Sequence, residues 1–349
     1  MRLGARVRYY PAIVALGCPA FEIMAAPKDW SFPEELRPKQ ADVRFDLAAA
    51  LRSVLLLRAE VPEDAFTAEI LGTQRIGNGV AIRANGRLLI LTIGYLVTEA
   101  ESIWLTTHDG QTVAGHALAY DQVTGFGLVL PLGHLNVPTL ERGSIAATHV
   151  GSKVIVIGHG GETHSLNATV VAKREFAGYW EYLLDNALFT APPHPQWGGT
   201  ALLDQDGLLI GVGSLLVQEA VSGESFDANM FVPIDLLEPI LNDMVNVGRS
   251  TRAPRPWLGM YTTEMKDHVV IAGLMEDGPA YRAGLRSGDV VVEVAGQPIA
   301  KLSELFRTIW STGPTGTIIP MTVSRGAKTS KVQIESADRE DFLKKPVRH

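Results

Sequence analysis

Three dipeptides, Asn85-Gly86, Asp109-Gly110 and Asp206-Gly207, each sit between two short apolar runs. They constrain the fold more than any other feature of the chain. Such pairs enter the positive-φ region at little steric cost and close tight hairpins whose twist matches the flanking strands. The surrounding segments NGVAIRANGRLLILTIG, SIWLTTHDGQTVAGHALAYD and ALLDQDGLLIGVGSLL therefore each predict strand, turn, strand. KVIVIGHGG and ATVVAKREF predict further strands with glycine-rich or polar edges. From Gly77 to Val245 the pattern is one of many short strands and tight turns, which predicts an all-β barrel or sandwich.

The pattern changes after that. Residues 235–248, DLLEPILNDMVNVG, carry Leu236, Leu237, Ile240, Leu241, Met244 and Val245 at helical spacing. Asp235 is placed to cap this helix, Pro239 to sit in its first turn and Gly248 to end it. GRSTRAPRP (248–256) is basic, rich in proline and poor in apolar residues, so it predicts a linker. Beyond it, WLGMYT, DHVVIAGLM, DGPAYRAGLRSGDVVVEVAGQPI, LSELFRTIWSTG, TIIPMTVSRG and SKVQIE predict a mixed α+β unit with a closing hairpin. The expected organisation is a targeting segment over 1–26, a first unit over 27–248, a linker over 249–256, a second unit over 257–336 and a solvated charged tail over 337–349. Residues 27–45 predict a polar, proline-rich lead-in arm.

Composition bounds the function classes. A net charge of −7 argues against a nucleic-acid surface, which needs a basic field. Cys18 is the single cysteine, so the body has neither a disulfide nor a cysteine-based metal site. Arg2, Arg6 and Arg8 precede PAIVALGCPAF, an apolar run too short to span a bilayer. With the small residues of MAAP this predicts export to the periplasm and a mature chain without a transmembrane span. The alternatives are a mis-assigned start, an ordinary N-terminal helix, or lipid attachment at Cys18 in ALGC.

Trp257-Leu258-Gly259-Met260, residues 277–299 and residues 302–309 resemble a PDZ domain of the kind found in bacterial HtrA-type proteases. GNGVAIRANGRLLILTIGYLV (77–97), DQVTGFGLVL (121–130), HPQWGGTALLDQDGLLIGV (194–212) and FVPIDLLEPIL (231–241) resemble, in the same order, the trypsin-like domain of those proteases. The likeness spans roughly residues 50–335. It implies a mostly β protein: a trypsin-like double six-stranded β-barrel followed by one α+β PDZ domain, with self-association, as trimers in many relatives.

The likeness fails at the chemistry. Where the family has its histidine this chain has Tyr95, and the aspartate aligns with Gly125. The serine aligns with Gly198 when counted back from LLDQDG, or with Trp197 when the glycine pair is matched. Acyl transfer needs a nucleophile, a base within reach and a group orienting that base. None of these residues serves. The family's glycine two positions before the serine supports an oxyanion-hole N–H, and Gln196 stands there. The predicted function is a catalytically inactive HtrA-like protein acting as a scaffold or regulator in envelope protein quality control. The alternative is an active serine-type endopeptidase with a non-standard site. For that alternative, Thr200 with His194, or Ser214, are the candidates, against a structural Thr200 and a surface His194.

No cofactor is expected. His159 and His164 in IGHGGETH lack partners at ligand-like spacing, so a turn is preferred there to a metal site. In the second unit the N–H groups of Trp257, Leu258, Gly259 and Met260 are predicted to cradle a terminal carboxylate, with an extended peptide added beside residues 260–262. Leu305, Phe306 and Ile309 are predicted either to line that groove or to pack the core. Arg255 either attracts the carboxylate or belongs to a solvated linker. The expected partners are C-terminal or unfolded segments of other polypeptides.

Overall fold

A computed structural model describes residues 30–221 and 224–344. The predicted targeting segment and Cys18 lie outside the described residues.

After a short helix α1 (Leu47–Arg52), the first barrel comprises β1 (Val54–Glu60), β2 (Gln74–Ala84), β3 (Arg87–Ile93), β4 (Ser102–Thr106), β5 (Thr112–Tyr120) and β6 (Phe126–Pro131). It closes in the order β1-β2-β3-β6-β5-β4, and α2 (Ala68–Leu71) lies between its first two strands. The second barrel comprises β7 (Lys153–Ile157), β8 (Ser165–Gly178), β9 (Tyr182–Ala191), β10 (Ala201–Leu203), β11 (Leu209–Val221) and β12 (Glu224–Pro233). It closes in the order β10-β11-β12-β9-β8-β7. The predicted turns are where the dipeptides put them: Asn85 and Gly86 take φ of 49° and 74°, and Gly110 and Gly207 take 88° and 84°. Apolar side chains fill the barrels, with Leu55, Leu57, Ile82, Leu89 and Leu91 wholly buried in the first, and consecutive residues such as Leu89, Ile90 and Leu91 are buried on both faces of the strand.

The helix after β12 is α3 (Glu238–Val247), with Pro239 in its first turn and Gly248 closing it at φ 82°. Asp235 does not cap it. Its carboxylate instead accepts from Ser144 Oγ and Ile145 N, tying the inter-barrel loop to the helix entry, while residues 234–236 form a separate 3-10 turn.

The second unit is a sheet ordered β13-β14-β15-β17-β18, made of β13 (Met260–Met265), β14 (His268–Leu274), β15 (Val290–Val294), β17 (Ile318–Arg325) and β18 (Lys328–Glu335). A two-residue strand β16 (Gln297–Pro298) pairs with β15. The helices of this unit are α4 (Pro279–Arg282) and α5 (Leu302–Ser311).

Two peripheral segments differ from expectation. The lead-in arm is not merely polar, since Phe32 is buried and joins the outer core of the second barrel. The tail is not solvated as far as residue 344. Phe342 packs on Trp257, Lys344 N donates to the Glu99 carboxylate, and Lys344 Nζ pairs with Asp64. An apolar ring and these polar contacts together hold the tail down.

Candidate functional site

The three positions that the resemblance assigns to a triad converge at the cleft between the barrels. Tyr95 lies in a 3-10 turn directly after β3, Gly125 directly before β6, and Gly198 in the loop between β9 and β10. The Gly94 N–H donates to Gly125 O at 2.6 Å, joining the first two. A Cβ on Gly198 would stand 2.7 Å from the Tyr95 hydroxyl, joining the third. A Cβ on Gly125 would stand 2.8 Å from the Tyr182 hydroxyl. Tyrosine hydroxyls thus fill the space next to both glycines.

Each hydroxyl is committed. Tyr95 Oη donates to Ser214 O at 2.8 Å, and Tyr182 Oη donates to Thr124 O at 2.6 Å. Burial pushes both phenols well above their usual range, so neither ionises to act as a base. The Tyr95 backbone is fixed as well: the buried guanidinium of Arg75 donates to Tyr95 O (2.7 Å) and Thr98 O (2.8 Å).

The loop bearing Gly198 is held by Asn78 of β2. Asn78 N donates to Gly198 O at 2.8 Å, and its amide donates to Gln196 O at 2.9 Å. Gly199, at φ 77°, admits no Cβ, because Asn78 O already occupies that space. The N–H of Gln196, which stands where the resemblance has the oxyanion-hole glycine, turns inward to His194 Nδ1 at 3.0 Å.

His194 is not a surface residue. It is fully buried and packed edge-on against Trp30 and Phe32, because the arm covers this side of the barrel. Because Nδ1 accepts from Gln196, Nε2 carries the proton and donates to His164 O at 2.9 Å. Burial lowers its pKa to about 4. Thr200 Oγ1 donates to Trp197 O at 2.9 Å, so the structure does not bring Thr200 and His194 together as nucleophile and base. Among the described residues no three or more histidine, cysteine, aspartate or glutamate side chains cluster to hold a metal.

The second unit's loop is formed as the sequence suggests, with Gly259 at φ 75° between Leu258 and Met260. It is not empty. Glu181, from the hairpin tip between β8 and β9, places its carboxylate among the loop's N–H groups. Oε1 accepts from Leu258 N (3.2 Å), Gly259 N (2.8 Å) and Met260 N (3.0 Å), and Oε2 from Leu258 N (3.1 Å). Burial pushes the Glu181 pKa up to about 7, opposed by these donors and by Arg339. Two residues earlier, Tyr179 O accepts from Thr262 N at 2.9 Å, on the outer edge of β13 where a peptide strand was expected.

The other predicted groove residues are covered. Trp257 does not donate into the cradle. Its N–H donates to Ala337 O, and its ring packs with Phe66 and Phe342. Leu305, Phe306 and Ile309 are wholly buried in the unit's core, and Leu183 of β9 belongs to the same cluster. Arg255 is neither free nor bound to a carboxylate: its guanidinium lies over the Trp310 ring, 3.9 Å from the centroid.

Glu181 and Tyr179 were missed from the sequence. The available signal was the tip itself, GYWEY, which joins two strands with no glycine or asparagine where the turn needs one.

Comparison with known proteins agrees with this architecture. The family model described as a trypsin-like peptidase domain matches residues 77–212, and the PDZ domain model matches residues 256–335. A probable periplasmic serine endoprotease, DegP-like, of Halomonas elongata is 28% identical, over 77% of this chain and 58% of its own length. The chain spans 50% of a similarly described protein of Pseudomonas putida. The serine endoprotease DegS of Haemophilus influenzae is 23% identical, over 76% of this chain and 77% of its own. Among solved structures, the HtrA-type protease AlgW with decapeptide superposes with a TM-score of 0.51 at 21% identity, covering 84% of this chain and 99% of that one. A serine endoprotease from Yersinia pestis gives 0.50 at 21%, covering 85% and 99%.

Proposed function

With a trypsin-like peptidase domain followed by a PDZ domain, and homologues among the HtrA and DegP proteases, this chain is HtrA-like, and we propose that it works by binding and not by hydrolysis. In this reading Tyr95, Gly125 and Gly198 stand at the triad positions. The observation that carries it is the 2.7 Å between the Tyr95 hydroxyl and the space a Cβ on Gly198 would need. At that point the cleft has neither a nucleophile nor room for one. The inward turn of the Gln196 N–H supports the same reading, because an oxyanion would lose one of its donors.

The binding function belongs to the PDZ domain, whose 258–260 N–H groups are directed at a carboxylate. The partners are C-terminal or unfolded segments of other polypeptides, and the protein scaffolds or regulates envelope protein quality control after export. The periplasmic description of its homologues supports that location. Among the described residues no helix is long and apolar enough to cross a membrane. The reading includes self-association, supported by the resemblance and checked by sedimentation velocity.

Incubation of the purified protein with casein and with a fluorophosphonate probe tests the loss of chemistry. The expected result is no cleavage and no labelling. Reproducible cleavage that disappears in Thr200→Ala or Ser214→Ala overturns the reading.

A further inference from the structure

The residue that fills the carboxylate cradle belongs to the chain itself, and it sits where its own backbone disfavours it. β8 and β9 pair at Gly178 and Tyr182, leaving Tyr179–Glu181 as a three-residue loop. Loops of this length commonly place their last residue in the left-handed region, where glycine is favoured. Glu181 takes that position at φ 60°. Lys266 and Ala295 share that region, so it is the contacts of the Glu181 side chain, not its φ alone, that set it apart.

What Glu181 does there has the form of ligand binding. Its carboxylate accepts from three successive backbone N–H groups of the PDZ loop. Tyr179 O, two residues upstream, takes the Thr262 N–H of β13, as a strand added to that edge would. Leu183 adds an apolar side chain to the cluster containing Leu305 and Phe306 of α5. Arg307 of α5 clasps both strands of the hairpin, Nη2 reaching Glu175 at 2.5 Å and Asp185 at 2.6 Å. Two other buried carboxylates serve local ends, Asp121 holding the Thr124 turn and Asp289 pairing with Arg325 of its own domain, while Glu99 holds Phe66, Thr67 and the tail at Lys344. Glu181 instead reaches across to the other domain.

We infer that the β8–β9 tip is a built-in ligand of the PDZ groove, with the Glu181 side-chain carboxylate standing in for a C-terminal one, so that a partner's C-terminus binds only as the tip withdraws. The inference rests on the peptide-binding reading above. A tethered ligand competes at an effective concentration on the order of millimolar. The apparent affinity of any peptide falls by the fraction of molecules whose groove is open. A way in exists: a cavity of about 230 Å³ opens onto Glu181, lined by Arg249, Arg252, Arg255 and Arg339 and equally by the acids Asp121, Asp338 and Glu340, with Arg249 paired to Glu340.

The test uses the full chain and Glu181→Gly, which removes the carboxylate and suits the left-handed turn, with Glu181→Ala as a second variant. Amide hydrogen exchange is followed over residues 258–262. Fluorescence anisotropy uses labelled EFAGYWL, which copies residues 175–180 and ends in a leucine with a free α-carboxylate, and its C-terminal amide as control. Expected are exchange at least about tenfold faster in both variants and free-acid affinity at least about tenfold higher than in the parent, with no gain for the amide. Unchanged exchange in both variants, or parent affinity equal to theirs, overturns the inference. Faster exchange with no peptide binding by any form leaves the self-ligand standing and overturns the peptide-binding reading instead.

Discussion

Two sites of this molecule are filled by the chain itself, and they are filled in different ways. At the inter-barrel cleft, Tyr95 and Tyr182 occupy space beside Gly198 and Gly125 as core side chains, locked by hydrogen bonds to backbone carbonyls. At the PDZ loop, Glu181 occupies a cradle of N–H groups as a docked side chain on a hairpin tip, flanked by exposed ion pairs and open to a cavity. Removing the first kind of plug means remaking a core. Removing the second needs only a rearrangement between domains. On the proposed reading the first therefore closes the chemistry, while the second makes binding conditional.

The strongest way to break this contrast is to reinstall the triad. Tyr95→His, Gly125→Asp and Gly198→Ser together put a side chain at φ 86° on residue 125, against Tyr182, and cut the Tyr95–Ser214 hydrogen bond. The backbone conformation costs about 1–2 kcal/mol and the overpacking about 1–3 kcal/mol. The expected loss is about 4 kcal/mol in urea denaturation, with casein turnover still at background because Gln196 N remains turned to His194. Parent-like stability together with fluorophosphonate labelling at position 198 would show that the cleft is an easily refilled site.

Buried groups at the two sites also titrate in opposite directions. His194, behind the nucleophile-like loop, is buried with a pKa lowered to about 4 from an ordinary 6.5. The unfolded chain takes the proton first. Its contribution is therefore intact above pH 6.5 and is lost as pH falls towards 4, by about 3 kcal/mol. Glu181 is raised to about 7 from 4.5 by burial, with Arg339 opposing and Tyr261 also facing it. The docked tip binds the proton more tightly than the withdrawn one. Docking is thus strongest below pH 4.5 and weakens as pH rises through 7. Urea midpoints should fall on acidification, while affinity for the free-acid peptide should rise about tenfold between pH 5.5 and 8 and stay flat in Glu181→Gly. A peptide affinity that is equally pH-dependent in parent and variant would remove Glu181 from the groove's control.

The same contrast explains what could be read from sequence. The barrels were legible because short apolar runs and Asn-Gly or Asp-Gly turns are local signals, as at Asn85-Gly86. Tyr95, Gly125 and Gly198 could be aligned with the triad of the family because each lies within a patterned segment. Glu181 was not. Its partners are 77 to 79 residues away in the chain, and backbone N–H groups leave no mark in the sequence. His194 failed for a similar reason: it looks exposed between Pro193 and Pro195 until Trp30 and Phe32 cover it. Asp235 matched a capping pattern, yet its carboxylate is spent on Ser144 and Ile145, a contact 90 residues distant.

The smallest expected effect lies at the rim of the groove. Arg307 bridges Glu175 and Asp185 while remaining half exposed, and the two acids are 41% and 72% exposed. Such pairs contribute roughly 0–1 kcal/mol each in water and are screened by salt. Arg307→Ala should therefore loosen the tip only slightly, raising free-acid peptide affinity about two- to fivefold at low ionic strength. At about 1 M salt, where screening acts within roughly 3 Å, the parent should converge on the variant. Glu181→Gly should keep its larger advantage under the same conditions, because its cradle is buried and its donors are backbone groups. If salt erased both differences equally, the plug would be a surface charge contact, and the line drawn between a locked core and a docked ligand would have to move.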